Sequence, residues 1–440
     1  MRVKLLVFTF SFLLFLCLWN CVSVEKQFEK GLIMEQEGRY EDAARFYIKV
    51  LRREPTWEEA RERLKDVGAR SVDILLEQAY AHESAGAYEQ AAQLIFRVDD
   101  LTLSARSVGV ILSLPRDYEE FRQKIIDNAV ESVFQLAFQA EKAGNWPQAI
   151  REFDHLKRNY PLSPPQLQRV NQAAARVFTQ WAEQDFARGR FMAAFDHTQR
   201  VIDLFGPESP DSQKALKIQK AALNAGTLSV AVLPFDSYEK EENEVPAEIE
   251  QELYDILIYE YLSNPVPFVA VVDAGRVHRE VRRFHMKEKL LTPGTASRIG
   301  ISLGTDFVVI GRIDSFSRRE EILDKTTHRV PLRKNPASTT HYMEQRYWLI
   351  LTASVEIHLI SSRRERVMDR ETITYEAKDK FRRGIYDGDP TQLDLSLSEQ
   401  KLFDKEELYR AEQELVDRLL EELAEHIAEN IFDEVLRYVR

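Results

Sequence analysis

Hydrophobic and polar positions follow several rhythms along this chain. Residues 5–19 are almost entirely apolar. From residue 24 to about 225 the apolar residues recur at helical spacing, and no strand pattern interrupts them. Then Leu228-Ser-Val-Ala-Val-Leu-Pro-Phe235, Phe268-Val-Ala-Val-Val-Asp273 and Thr305-Asp-Phe-Val-Val-Ile-Gly-Arg-Ile313 read as short buried strands. Between them, residues 246–262 carry Ile249, Leu253, Ile256 and Leu257 on one helical stripe, and residues 275–299 are mostly helical. Strand, helix, strand, helix, strand predicts parallel crossovers and a sheet covered by helices.

Beyond Asp314 that rhythm stops. Residues 315–346 are polar and predict a long loop or ragged hairpin. Residues 347–360 alternate, with Tyr347, Leu349, Leu351, Ala353, Val355, Ile357 and Leu359 on one side. Residues 366–375 suit an antiparallel partner for that strand. Residues 376–401, with Gly384, Gly388 and Pro390, read as a mobile loop. Residues 404–439 form a long amphipathic helix with Leu415, Leu419, Leu423, Ile427, Ile431 and Val435 as its stripe. The expected fold class is therefore α plus α/β. A leader at 1–21 precedes helical repeats at 22–225, and an α/β domain with a mixed, helix-covered sheet fills 226–440.

The helical part repeats itself. Gly38, Tyr40 and Ala43 recur as Gly86, Tyr88, Ala91, then as Gly144, Trp146, Ala149, then as Gly189, Phe191, Ala194. A small residue stands seven positions before each glycine: Gly31, Ala79, Ala137 and Ala182. Pro55, Pro161 and Pro207 close three of the units. Glycine adopts the left-handed conformation that ends a helix, small residues let paired helices approach, and proline stops the second helix. These helical hairpins resemble tetratricopeptide repeats. The glycines are 48, 58 and 45 positions apart, against about 34 in tandem repeats. Extra helices at 57–67 and 118–126 are expected to take up the difference. Solenoids of this kind bind a protein segment on their concave side.

The α/β part carries a second resemblance. Ala231-Val-Leu-Pro-Phe235, Val271-Val-Asp273 with Arg276, and Leu303-Gly-Thr-Asp-Phe-Val-Val-Ile-Gly-Arg-Ile313 resemble the domain shared by the curli-secretion (CsgG) family, the flagellar lipoprotein FlgO and the amino-terminal domain of TolB. It covers roughly residues 226–375. The resemblance implies a bacterial envelope lipoprotein that assembles or regulates machinery rather than catalysing.

Composition sharpens this. Sixty basic and 72 acidic residues give a net charge of −12, which argues against nucleic acid or anionic lipid as a non-specific partner. The only cysteines are Cys17 and Cys21, so the body of the chain holds no disulfide framework. Arg2 and Lys4 before the apolar stretch make a secretory signal, and Leu18-Trp-Asn-Cys21 resembles a lipobox, with Trp19 and Asn20 bulkier than usual. Lipid on Cys21 would hold the chain to a membrane.

Candidate chemistry is sparse. Gly300-Ile-Ser-Leu-Gly304 matches a nucleophile elbow, but a helix precedes it and a strand follows, the reverse of what that elbow needs. Arg276, Arg279, Arg282 and Arg283, with His278, His285 and Lys287, make a basic helix that reads as a solvated face or a docking face for an acidic partner. Asp236 and Asp273 follow strands where α/β sheets carry ligands, but two carboxylates at strand ends are also ordinary turn residues, and that reading is favoured. No phosphate loop, metal motif or cofactor is expected. The leading expectation is a non-catalytic assembly adaptor at the periplasmic side of the outer membrane. Its partners are envelope proteins, and self-association is left open. The alternatives are a CsgG-type secretion-channel subunit and, on weaker grounds, a hydrolase or nucleotide-binding enzyme.

Overall fold

The computed structural model describes residues 23–237, 247–284 and 292–439. The chain divides into two compact units, one of residues 1–181 and 204–206, the other of residues 182–203 and 207–440.

The first unit is built of helical hairpins. They are α1 (Val24–Gln36) with α2 (Tyr40–Arg53), α3 (Glu58–Ser84) with α4 (Tyr88–Ser107), and α5 (Tyr118–Lys142) with α6 (Trp146–Asn159). The helix α7 (Pro164–Ala187) begins in this unit, and its last turns belong with α8 (Phe191–Phe205), up to Asp203, to the other. Tyr47, Leu64, Ile95, Ile125, Phe153 and Leu156 are fully buried in the core. The wide repeat spacing is not filled by extra helices at 57–67 and 118–126. Those residues lengthen the first helices α3 and α5, which run 27 and 25 residues. No breaker interrupts the apolar stripe Ala60, Leu64, Val67, Val72, and the one glycine within it, Gly68, is needed for packing. A Cβ there would lie 2.7 Å from Leu112 Cδ2.

The second unit centres on β1 (Leu228–Val232). It pairs in parallel with β3 (Val269–Val271) on one side and with β4 (Phe307–Leu332) on the other. The two-residue strand β2 (Asp236–Ser237) also pairs with β4 in parallel. Antiparallel β5 (Asn335–Ser361) and β6 (Arg366–Ile385) complete the order β3-β1-β4-β5-β6. Alternation sends Val230, Val232, Val309 and the odd-numbered residues Tyr347–Leu359 to one face. There they meet α10 (Ala247–Ile256, continued by a π turn at Leu257–Tyr261) and the long helix α14 (Lys405–Leu436). Ala231, Leu233, Val308 and Ile310 pack on the opposite face against α11 (Ala274–Arg283) and α12 (Pro293–Leu303).

Two stretches are more ordered than a loop. Of the two alternatives for residues 315–346, the loop is excluded and the ragged hairpin holds: they are the outer halves of β4 and β5, which run 26 and 27 residues, shift register at Ile322/Asp324 and Pro331/Leu332, and pair as far as Leu332 with Asn335. Residues 376–401 are not a mobile loop either. Residues 376–385 complete β6, and Leu393, Leu395 and Leu402 then dock on Val330 and Tyr342 of the ribbon. Between these leucines a capping box joins Ser396 to Glu399 at the short helix α13 (Leu397–Gln400).

The boundary expected at 225/226 falls inside the second unit. Phe268, just before β3, has φ of 68°. That conformation is strained for an aromatic residue, and packing holds it. Its ring meets Phe195 edge-on at 5.4 Å, and Gly226, ending α9 (Gln213–Gly226), leaves room that a Cβ would fill at 3.0 Å. The α8 and α9 helices are thereby tied to the sheet.

Candidate interaction surfaces

Each repeat turn is closed in the same way. Gly38, Gly86, Gly144 and Gly189 have φ between 71° and 75°. The next amide reaches back to a carbonyl five residues earlier: Arg39 to Met34, Ala87 to His82, Asn145 to Ala140 and Arg190 to Asp185, at 2.8–2.9 Å. Each glycine amide also bonds the carbonyl three residues back, at 2.9–3.1 Å, and this double closure satisfies carbonyls that a helix end leaves open. Tyr40, Tyr88, Trp146 and Phe191 start the second helices and are half-buried. Ala43, Ala91, Ala149 and Ala194 are fully buried. Opposite them Gly31 lies under Tyr47, whose ring would be 2.6 Å from an added Cβ.

Beside the first turn lies a cleft of about 310 Å³, lined among others by Arg39, Asp42, Ser71, Ile74, Gln78 and Arg97. Its charges are matched internally. Arg39 pairs with Asp42 at 2.8 Å, and Glu41 takes both Arg45 and Arg97. The fourth turn differs, because Asp185 is buried and bridges Arg190 and His197. Burial lowers the affinity of His197 for a proton despite that carboxylate.

The basic helix α11 is largely engaged with its own surroundings. Arg276 donates to the Leu303 carbonyl at 2.7 Å, Arg282 to the His278 carbonyl at 3.3 Å, and Arg283 pairs with Glu280 at 3.1 Å. Arg279 stands exposed. His278 meets Tyr254 edge-on at 5.5 Å. The Ser302 hydroxyl donates to Glu280, and this bond, with Arg283, holds the Glu280 carboxyl below its ordinary range. Asp273 caps α11 by accepting the Arg276 amide at 2.9 Å. Cys17, Cys21, Pro246, His285, Lys287 and the Asp236 side chain lie outside the described residues. Among the described residues no three His, Cys, Asp or Glu side chains are grouped to hold a metal ion, and no helix is long and apolar enough to cross a membrane.

One site was missed from sequence. Glu356, 2% exposed on β5, is held by Arg312 of β4, by Arg370 of β6 and by His358 at 3.1 Å. Burial pushes its carboxyl up, but the bonds from His358 and Arg370 and the charge of Arg312 outweigh it, leaving the group below its ordinary value. The available signal was the pair Glu356 and His358 in a stretch whose other face is apolar from Tyr347 to Leu359.

No family model and no curated protein matches the chain. Among solved structures it is similar to the lipoprotein GNA1162 of Neisseria meningitidis, at 11% identity and TM-score 0.23, over 35% of this chain and 83% of that one. It is similar to the hypothetical protein CT253 of Chlamydia trachomatis, at 14% identity and TM-score 0.23, over 46% and 96%. It is also similar to the de novo designed helical repeat protein DHR64, at 23% identity and TM-score 0.19, over 46% and 92%. Scores this low leave the fold to be read from the chain itself.

Proposed function

We propose that this chain is a non-catalytic lipoprotein of a bacterial cell envelope, anchored through Cys21 on the periplasmic side of the outer membrane, whose helical hairpins recruit a protein partner to an envelope complex. The observation that carries this reading is a recurrence. The first helix of every hairpin presents one large aliphatic side chain to solvent: Ile33, Ile74, Leu136 and Leu167, each 39–48% exposed. Single exposed apolar residues are ordinary. All four first helices carry one, whereas among the second helices only α4 does, with Leu103 at 68%, so the first helices together offer a set of anchors for an apolar segment.

The test is site-specific photo-crosslinking in intact cells from positions 74 and 136, with Lys49 on a second helix as control. Both test positions should capture the same protein and the control should not. Equal capture from position 49 would sink the reading. For the anchor, labelled palmitate should be incorporated, and incorporation that survives Cys21→Ala would refute it. For the absence of catalysis, Ser302→Ala should leave cellular function intact, and labelling of Ser302 by a fluorophosphonate would overturn that.

The rival is a channel subunit of the CsgG type. In its favour, β4 and β5 greatly exceed the 9–11 residues or so that a membrane-spanning strand needs. Against it, Arg318 and Glu320 occupy one set of alternate positions on β4 while Arg319 and Glu321 occupy the other. Either face would carry charge into lipid, at roughly 2–4 kcal/mol for each basic residue near the midplane. The adaptor reading is preferred.

A further inference from the structure

Charge is sorted within the second unit. Between Asp324 and Glu344 the β4–β5 ribbon carries Lys325, Arg329, Arg333 and Lys334 and no carboxylate. All four are exposed. None is ion-paired with a carboxylate among the described residues, in a chain whose net charge is −12. Ile322 and Leu323, 53% and 49% exposed, stand at the root of the same ribbon. The opposite sign gathers on α14, where Glu414, Asp417, Glu421, Glu425, Glu429 and Asp433 recur every three or four residues and are all exposed. None of these six is in an ion pair among the described residues.

The two surfaces cannot meet within one molecule. Glu412 of α14 pairs with Arg318, and Tyr438 beyond its end packs on Phe307 at ring centroids 5.2 Å apart. The helix that carries the acidic ridge therefore lies over β5 and β6 between the level of Arg318 and that of Phe307. The cations lie past Arg318 in the other direction. Their dimensions correspond: the helix from Glu414 to Asp433 spans about 28 Å, and the ribbon from Lys325 to Arg333 about 26 Å.

We propose that the basic ribbon of one molecule docks along the acidic ridge of α14 in a second copy of this chain. The cations would neutralise the carboxylates, and Ile322 and Leu323 would supply the apolar part of the contact. The overall negative charge that repels the chain from an anionic lipid surface does not oppose this contact, because the ridge concentrates acid at one place. The two surfaces differ and sit at opposite ends of β4, so the contact is head-to-tail. It leaves a free ribbon and a free ridge on every pair and propagates to a ring or a filament. This inference does not depend on the partner proposed for the hairpins.

The experiment is sedimentation velocity of the purified full chain in detergent, at about 0.05 M and about 0.5 M salt, where screening differs strongly. Wild type should associate at low salt and dissociate at high salt. The ribbon variant Arg329→Glu/Arg333→Glu/Lys334→Glu should associate at least about tenfold more weakly. The ridge variant Glu421→Lys/Glu425→Lys/Glu429→Lys should do the same. Mixing the two variants should restore association, since each then offers the other a complementary surface, and misfolded variants would not achieve that. A monomeric wild type at low salt, a ribbon variant that associates like wild type, or a mixture that stays apart would overturn the proposal. So would loss of binding to phosphatidylglycerol vesicles in the ribbon variant with self-association unchanged, which would assign the ribbon to a lipid surface.

Discussion

The helical unit and the sheet unit reach stability by opposite routes. In the first, partners are near in sequence. Each turn glycine, its closing amide and the alanine beneath it lie within a few residues, and each hairpin completes its own turn. In the second, β1 finds its neighbours far away, Leu228 opposite Val269 and Val230 opposite Phe307. One face of the sheet is covered by a helix that begins only at Lys405. Damage should therefore stay local in the helical unit and spread in the sheet unit.

The strongest way to test that contrast is Leu419→Ala, because Leu419 is fully buried in the core under α14. It should cost roughly 4 kcal/mol, read by denaturant unfolding. Hydrogen exchange should rise across β4, β5 and β6 together while α1 to α6 keep their protection. Faster exchange confined to α14 alone would contradict a shared core.

Glu356→Gln comes next, at roughly 3 kcal/mol near neutral pH, since it leaves the Arg312, Arg370 and His358 cluster without its buried carboxylate. The folded carboxyl binds its proton more weakly than the ordinary value of 4.5. Its contribution is therefore complete above that value and fades as pH falls through the lower folded value. The gap between wild type and variant should narrow on acidification. A gap that stays constant down to the acid transition would show that the charge is not what stabilises.

A smaller effect is expected in the helical unit. Gly144→Val should cost roughly 1–2 kcal/mol through its left-handed φ of 71°. Exchange should rise around the α5–α6 turn and nowhere in the sheet. The smallest is Arg279→Ala on the basic helix. Its side chain is exposed, and the change should stay within about 0.5 kcal/mol.

What was legible from sequence follows the same divide. The stripe Leu415, Leu419, Leu423, Ile427, Ile431 and Val435 is buried throughout, because a helix with one covered face must write that face into its sequence. The inner strands are buried on both sides and read as apolar runs. The outer half of β4 was illegible for the converse reason. From Asp314 to Thr327 most of its residues face solvent, so no core imposes alternation, and pairing with β5 satisfies the backbone whatever the side chains are. The Glu356 cluster was hidden because it needs three strands brought side by side. The long first helices were misread as two because a spacing wider than about 34 residues was assigned to added helices rather than to longer ones, although no breaker separates 57–67 from the rest of α3 and Gly68 serves the approach of Leu112.

The placement of α14 also orders events in time. A chain emerging from its N-terminus can close the hairpins α1 to α6 as each is completed, since every partner has already appeared. The sheet has no such option. Until residue 436 has been made, the face formed by Val230, Val309, Leu349 and Leu351 has α10 but lacks the rest of its cover, and the unit remains a sticky intermediate. A chain interrupted before Lys405 would thus carry finished helical hairpins joined to an unfinished sheet. Such a product is a natural substrate for chaperones and proteases.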